Sequence, residues 1–125
     1  MLSLISSTII ACASLSAVDG DTIKCDGQNM RIMGDGAPFK SGVDTPEIQN
    51  AQCANERLFG VQAKLRLSEL IGAPGTEIED SGKRDRYGRP LVWVRLANGR
   101  TAGATLVAEG YAVVWRPGTK FSWCD

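Results

Sequence analysis

The sequence predicts an α+β chain: mainly β, a small five-stranded, partly open barrel carrying two packed helices. Three observations predict it. Asp-Gly and Asn-Gly pairs punctuate β-prone runs at Asp19-Gly20, Asp26-Gly27 and Asn98-Gly99, where hairpin turns need residues that accept a positive φ. One stretch, about residues 51–70, repeats apolar residues at helical spacing. A shorter helical stretch follows the last barrel strand, which gives the element order βββ-α-ββ-α.

The N-terminal run is apolar and small (MLSLISSTIIACASLSA) and contains no Lys or Arg. It fits an export signal with an Ala-x-Ala site at Ala11-Cys12-Ala13, and equally the lead-in to a first strand. Residues 1–13 are set apart on this ground, and 14–125 form the expected domain. The run is too short to span a membrane.

Strands are expected at residues 14–18, at Ile23-Lys24-Cys25 and at 29–33, with Arg31 near the middle of the third. Residues 34–42 (GDGAPFKSG) are dense in glycine and proline and predict an irregular loop. In the first helix Ala54, Leu58, Val61 and Leu65 define an apolar face, widened by Phe59, Ala63, Leu67 and Leu70. Gly72 and Pro74-Gly75 end it. Thr76-Glu77-Ile78-Glu79 reads as a strand, 81–89 (SGKRDRYGR) as a basic turn and 90–96 as an alternating strand. Residues 101–109 (TAGATLVAE) form the second helix, with Thr101 as N-cap and Gly110 as terminator.

With 125 residues the chain suits one domain with a real core. Fourteen basic residues balance fourteen acidic ones, so an anionic substrate would have to be held by a local basic patch. Histidine is absent, which excludes His-based triads, His general bases and His-ligated zinc. Cys12, Cys25, Cys53 and Cys124 are scattered with no C-x-x-C pair, which argues against zinc knuckles and thioredoxin-type motifs. Two disulfides in an oxidising compartment fit, with Cys12–Cys25 across a hairpin and Cys53–Cys124 pinning the C-terminus; four cysteines allow three connectivities. Four reduced thiols in a cytoplasmic protein are the alternative, so the location expected is periplasmic or secreted, otherwise cytoplasmic.

The stretch Val43-Asp44-Thr45-Pro46-Glu47 concentrates the chemistry. Pro46 fixes its own φ and pushes Thr45 towards an extended shape, so two acids are held apart on stiff backbone. Alone it is an acidic turn. Joined to Asp21, Arg31 and Arg89 it supplies what phosphodiester hydrolysis needs. Carboxylates and a carbonyl suit a hard divalent cation, one carboxylate activates water, and guanidinium forks grip non-bridging oxygens.

In one order along the chain stand Val18-Asp19-Gly20-Asp21-Thr22-Ile23-Lys24, Arg31, Asp44-Thr45-Pro46-Glu47, Gly60-x-x-Ala63 and Asp85-Arg86-Tyr87-Gly88-Arg89. This series resembles the staphylococcal nuclease family, OB-fold phosphodiesterases that depend on calcium, over about residues 14–115. The resemblance implies Asp21 and Asp44 as Ca2+ ligands with the Thr45 carbonyl. It implies Glu47 as the carboxylate that activates water, and Arg31 and Arg89 as phosphate clamps. Tyr87 and Arg86 would contact the substrate, and Trp115 would stack on a base or serve packing. The implied activity is hydrolysis of DNA and RNA with little sequence preference, on the 5′-oxygen side, leaving 3′-phosphates. The partners implied are DNA and RNA as substrates, with no membrane and a monomeric enzyme. A catalytically inactive OB module that binds nucleic acid or protein is the alternative.

Two departures from the family pattern stand out. Residues 34–42 intervene between the clamp arginine and the motif aspartate, and are expected to bulge outward without moving the strand ends. The family's C-terminal helix has no counterpart in residues 116–125, where a Cys53–Cys124 bond and burial of Trp123 are expected to close the exposed edge.

Overall fold

The computed structural model describes residues 8–118 and 120–125. The export-signal expectation falls mainly on residues 1–7, which lie outside the described residues. Among the described residues eight strands and two helices follow in the order β1 (Thr8–Ile10), β2 (Leu15–Ala17), β3 (Thr22–Cys25), β4 (Gln28–Ile32), β5 (Val43–Asp44), α1 (Ala54–Ile71), β6 (Glu77–Arg84), β7 (Pro90–Arg95), α2 (Ala102–Ala108) and β8 (Val113–Val114). Six strands form one curled sheet in the order β1-β6-β7-β4-β3-β2, and β5 pairs with β8 in a separate ribbon. The result is a half-barrel with two helices, as expected, to which β1, β5 and β8 are added. Asp26 and Gly27 both hold positive φ (50° and 86°) between β3 and β4, the condition for a tight two-residue hairpin.

The sheet register sets the functional geometry. In the antiparallel β3–β4 pair Thr22 faces Arg31, so Asp21 ends beside the arginine. In the parallel β4–β7 pair Arg31 faces Leu91, which brings the 85–89 turn alongside. In the β5–β8 ribbon Asp44 faces Val113, and the Trp115 N–H donates to the Gly42 carbonyl at 2.9 Å. Two of these pairings therefore meet at Arg31, and the third holds Asp44 and Trp115 in place.

Ile23, Ile32, Leu67, Val92, Val94 and Leu106 are fully buried between the sheet and the helices. Each contributes about 1.5–3 kcal/mol relative to exposure. Helix α1 buries Glu56, Gly60, Ala63, Leu67 and Leu70. The expected face through Ala54, Leu58, Val61 and Leu65 instead faces solvent, with Leu58 54% and Leu65 60% exposed. The physical reason lies at Gly60, where a Cβ would stand 2.8 Å from the Glu47 carbonyl oxygen and 2.9 Å from that of Pro46. Only a glycine there lets the helix lie against the acidic stretch, and that contact rotates the apolar residues outward.

Strand β6 runs on to Arg84, so the basic turn is shorter than expected. It closes on Asp85, whose N–H donates to the Arg89 carbonyl at 2.9 Å. Both expected disulfides are present, Cys12–Cys25 and Cys53–Cys124. They point to an oxidising compartment. Trp123 is half-buried, in a T-shaped pair with Phe121. Among the described residues no helix is long and apolar enough to cross a membrane.

Candidate active site

Arg31 joins two halves of the site. Its Nη2 donates to the Val43 carbonyl at 2.9 Å and stands 3.4 Å from Oδ2 of Asp21. The loop 34–42 therefore leaves the arginine in contact with the residue preceding Asp44. The base of that loop is closed by an antiparallel bridge between Met33 and Gly42 and by Gly34 N–H to the Ser41 carbonyl at 2.6 Å. Its flank is tied down by Asp35, which accepts from the Thr101 N–H at 3.0 Å and from Thr101 Oγ1 at 2.7 Å. Trp93 Nε1 donates to the Gly36 carbonyl at 2.9 Å.

The acidic half gathers Asp19, Asp21, Asp44 and Glu47. Gly20 seats the first two: a Cβ there would come within 2.8 Å of both Thr45 and Ala63 side chains, so the turn is packed against the acidic stretch and α1. Asp21 and Thr45 are buried, Asp44 is half-buried and Glu47 is exposed. Burial pushes the Asp44 carboxyl above its ordinary range, Asp21 adds to the effect and Arg31 opposes it. Glu47 is raised by partial burial of its carboxyl and then by Asp21, Asp44 and Glu56, again against Arg31. Asp19 is pushed up to about 7, by burial first and by Asp21 second. Acids that raise one another this way hold an excess of negative charge facing one guanidinium.

The basic half is a cleft of about 460 Å3 lined by Arg31, Arg89, Arg86, Tyr87, Phe39 and Trp115 among others. Arg89 is held by Asp85, to which its Nε donates at 2.7 Å. The other Asp85 oxygen accepts from the Tyr87 and Arg89 backbone N–H groups, each at 2.9 Å. Burial alone would raise the Asp85 carboxyl, but these bonds and the Arg89 charge keep it below its ordinary range. The Arg86 and Arg89 guanidinium groups lie 5.0 and 5.6 Å from the Tyr87 ring centroid, within cation–π range. The predicted residues thus fall into one cluster of acids and one arginine-rich cleft, with Arg31 common to both.

Two residues with structural consequences were not singled out from the sequence. Glu56 is buried, and its carboxylate accepts from the Glu47 N–H at 3.0 Å and the Gln52 N–H at 2.9 Å. Its own N–H donates to Cys53 Sγ at 3.3 Å, the N-cap of α1. Asp85 is the second, as holder of Arg89. A Glu three residues after a cap is a recognisable signal for the first.

Among the described residues the buried Arg31 Nε has no hydrogen-bond acceptor, which fits an anionic oxygen arriving at that guanidinium. The acidic half offers only oxygen donors, the set a hard cation takes. Among the described residues no three acidic or sulfur side chains form a complete metal centre, so substrate and water would have to supply further oxygens.

A family model described as staphylococcal nuclease homologue matches residues 40–121, more than half of the chain. The chain belongs to the staphylococcal nuclease family. The matched residues include Asp44, Thr45, Glu47, Tyr87, Arg89 and Trp115; Asp21 and Arg31 precede them and are joined to them by the sheet register. Comparison with curated proteins gives no match. Domains of this family act on nucleic acids.

Proposed function

We propose that the protein is a calcium-dependent phosphodiesterase that hydrolyses DNA and RNA with little sequence preference, leaving 3′-phosphates. The observation that carries the reading is the position of Arg31, ion-paired with Asp21 on one side and lining the arginine cleft with Arg89 on the other.

Asp21, Asp44 and the Thr45 carbonyl would hold calcium, which when bound polarises the phosphoryl oxygen and offsets its charge. Arg31 and Arg89 donate hydrogen bonds to the non-bridging oxygens, and their grip strengthens as charge builds in the transition state. Glu47 takes a proton from the attacking water, a role open to an exposed carboxylate beside the acidic cluster. The new P–O bond forms as the bond to the 5′-oxygen breaks, and that oxygen leaves as a hydroxyl after protonation from solvent. Tyr87, Arg86 and Trp115 hold the nucleotides beside the scissile phosphate. The enzyme acts as a secreted or periplasmic monomer.

The test is the chemistry of the product ends. Single-stranded DNA incubated with the protein and calcium should yield fragments that a polymerase extends only after phosphatase treatment. Fragments extended without phosphatase would exclude 3′-phosphate products. DNA that is bound but left intact would favour an inactive binding module.

A further inference from the structure

Phe39 is the exposed aromatic residue of this cleft that the proposed chemistry does not use. It lies in the loop 34–42, is 57% exposed, and holds φ at +67°. A bulky side chain in that left-handed region is strained, and such strain collects at functional sites. The loop is held by other groups: the Gly34–Ser41 bond, Ser41 Oγ to the Ala37 carbonyl at 2.8 Å, and the Asp35 and Gly36 anchors.

The ring shares its cleft with Tyr87, 70% exposed, and Trp115, 42% exposed. These three aromatics come from three separate elements, around the Arg31 and Arg89 guanidinium groups. Base–aromatic stacking over a charged groove is how unpaired nucleic acid is gripped. In a duplex each base face is already covered by its neighbour, so a stacking ring must first displace one. The cleft is also within the roughly 300–1,000 Å3 of sites that take small ligands.

We propose that Phe39 is a substrate-positioning residue that stacks on an unpaired nucleobase next to the phosphate held by Arg31 and Arg89. The contribution of this ring is then confined to unpaired stretches of the substrate. The proposal rests on the nuclease reading and adds to it the role of the inserted loop.

The experiment compares Phe39→Gly and Phe39→Trp with the parent protein. Glycine tolerates the positive φ, so the loop keeps its shape while the ring is removed. With calcium, Phe39→Gly should raise KM for a short single-stranded DNA by roughly 5- to 100-fold, with the loss on KM rather than kcat. The loss on the matching duplex should be smaller, and Phe39→Trp should restore the parent KM. An unchanged single-strand KM in Phe39→Gly, or an equal loss on single strand and duplex, would overturn the proposal. If the parent cleaves nothing, the nuclease reading fails by itself, and fluorescence anisotropy of the labelled single strand then decides the stacking role. Weaker binding by Phe39→Gly upholds it, and equal binding overturns it.

Discussion

The Glu56 carboxylate accepts a hydrogen bond from the backbone N–H of Glu47 at 3.0 Å, nine residues away, and so ties the acidic stretch to the first turn of α1. The same carboxylate holds the Gln52 N–H, and those two bonds lower its pKa below the ordinary value of about 4.5. A candidate catalytic side chain is thus fixed through its backbone by a buried acid.

Glu56→Ala should destabilise the fold by about 2–4 kcal/mol, because two N–H groups lose their acceptor. Its folded pKa is depressed, so its contribution is complete above about 4.5 and is lost as pH falls through the lower folded value. Denaturant melts of parent and Glu56→Gln should therefore differ most above pH ~5 and converge in more acidic buffer. A gap independent of pH would contradict the assignment.

Asp85→Ala should cut turnover on the order of 10²-fold by releasing Arg89 from its fixed orientation. Far-ultraviolet circular dichroism should be preserved, since Asp85 lies at a turn end. Steady-state kinetics with a fluorogenic oligonucleotide measures the effect, and a rate within twofold of the parent would show that Arg89 needs no such holder.

Gly60→Ala should lower both stability and turnover. The added methyl stands 2.8–2.9 Å from two carbonyl oxygens and the Ile48 side chain, and backbone cannot yield cheaply. Overpacking of this kind costs about 1–3 kcal/mol. A thermal melt and a rate assay on the same preparation check it.

The Cys53–Cys124 bond closes a loop with a sequence separation of 71 and fastens the tail to the N-cap of α1. Cys124→Ser should cost about 2–4 kcal/mol. The parent, unfolded without reductant, should titrate no free thiol. An unchanged melting temperature in Cys124→Ser would remove the tail from the account of stability.

The turns made most of the fold legible. Asp26-Gly27 and Asp19-Gly20 announced β2, β3 and β4, although Gly20 takes no positive φ, and the hairpin suggested Cys12–Cys25 as one of the three connectivities that four cysteines allow. The face of α1 was not legible, because apolar residues line both sides of that helix. The decisive contact, Gly60 against the 46–47 backbone, is a fact of tertiary packing. The seat of the inserted loop was hidden for a similar reason: Asp35 caps Thr101 across 66 residues. The ion-paired and cleft residues were readable as motifs, Asp85 among them but without its role as holder of Arg89, whereas Glu56 works through backbone N–H groups, which leave little trace in residue type.

On the proposed function, Arg31 and Glu47 act together in metal-dependent hydrolysis. The most direct measurement is single-strand DNA turnover with calcium and with EGTA, for the parent, Arg31→Ala and Glu47→Gln. The parent should turn over substrate in calcium only, with a fall of roughly 10²–10⁴-fold in each variant and the melting temperature little changed. Full turnover in EGTA, or variants as active as the parent, would contradict it.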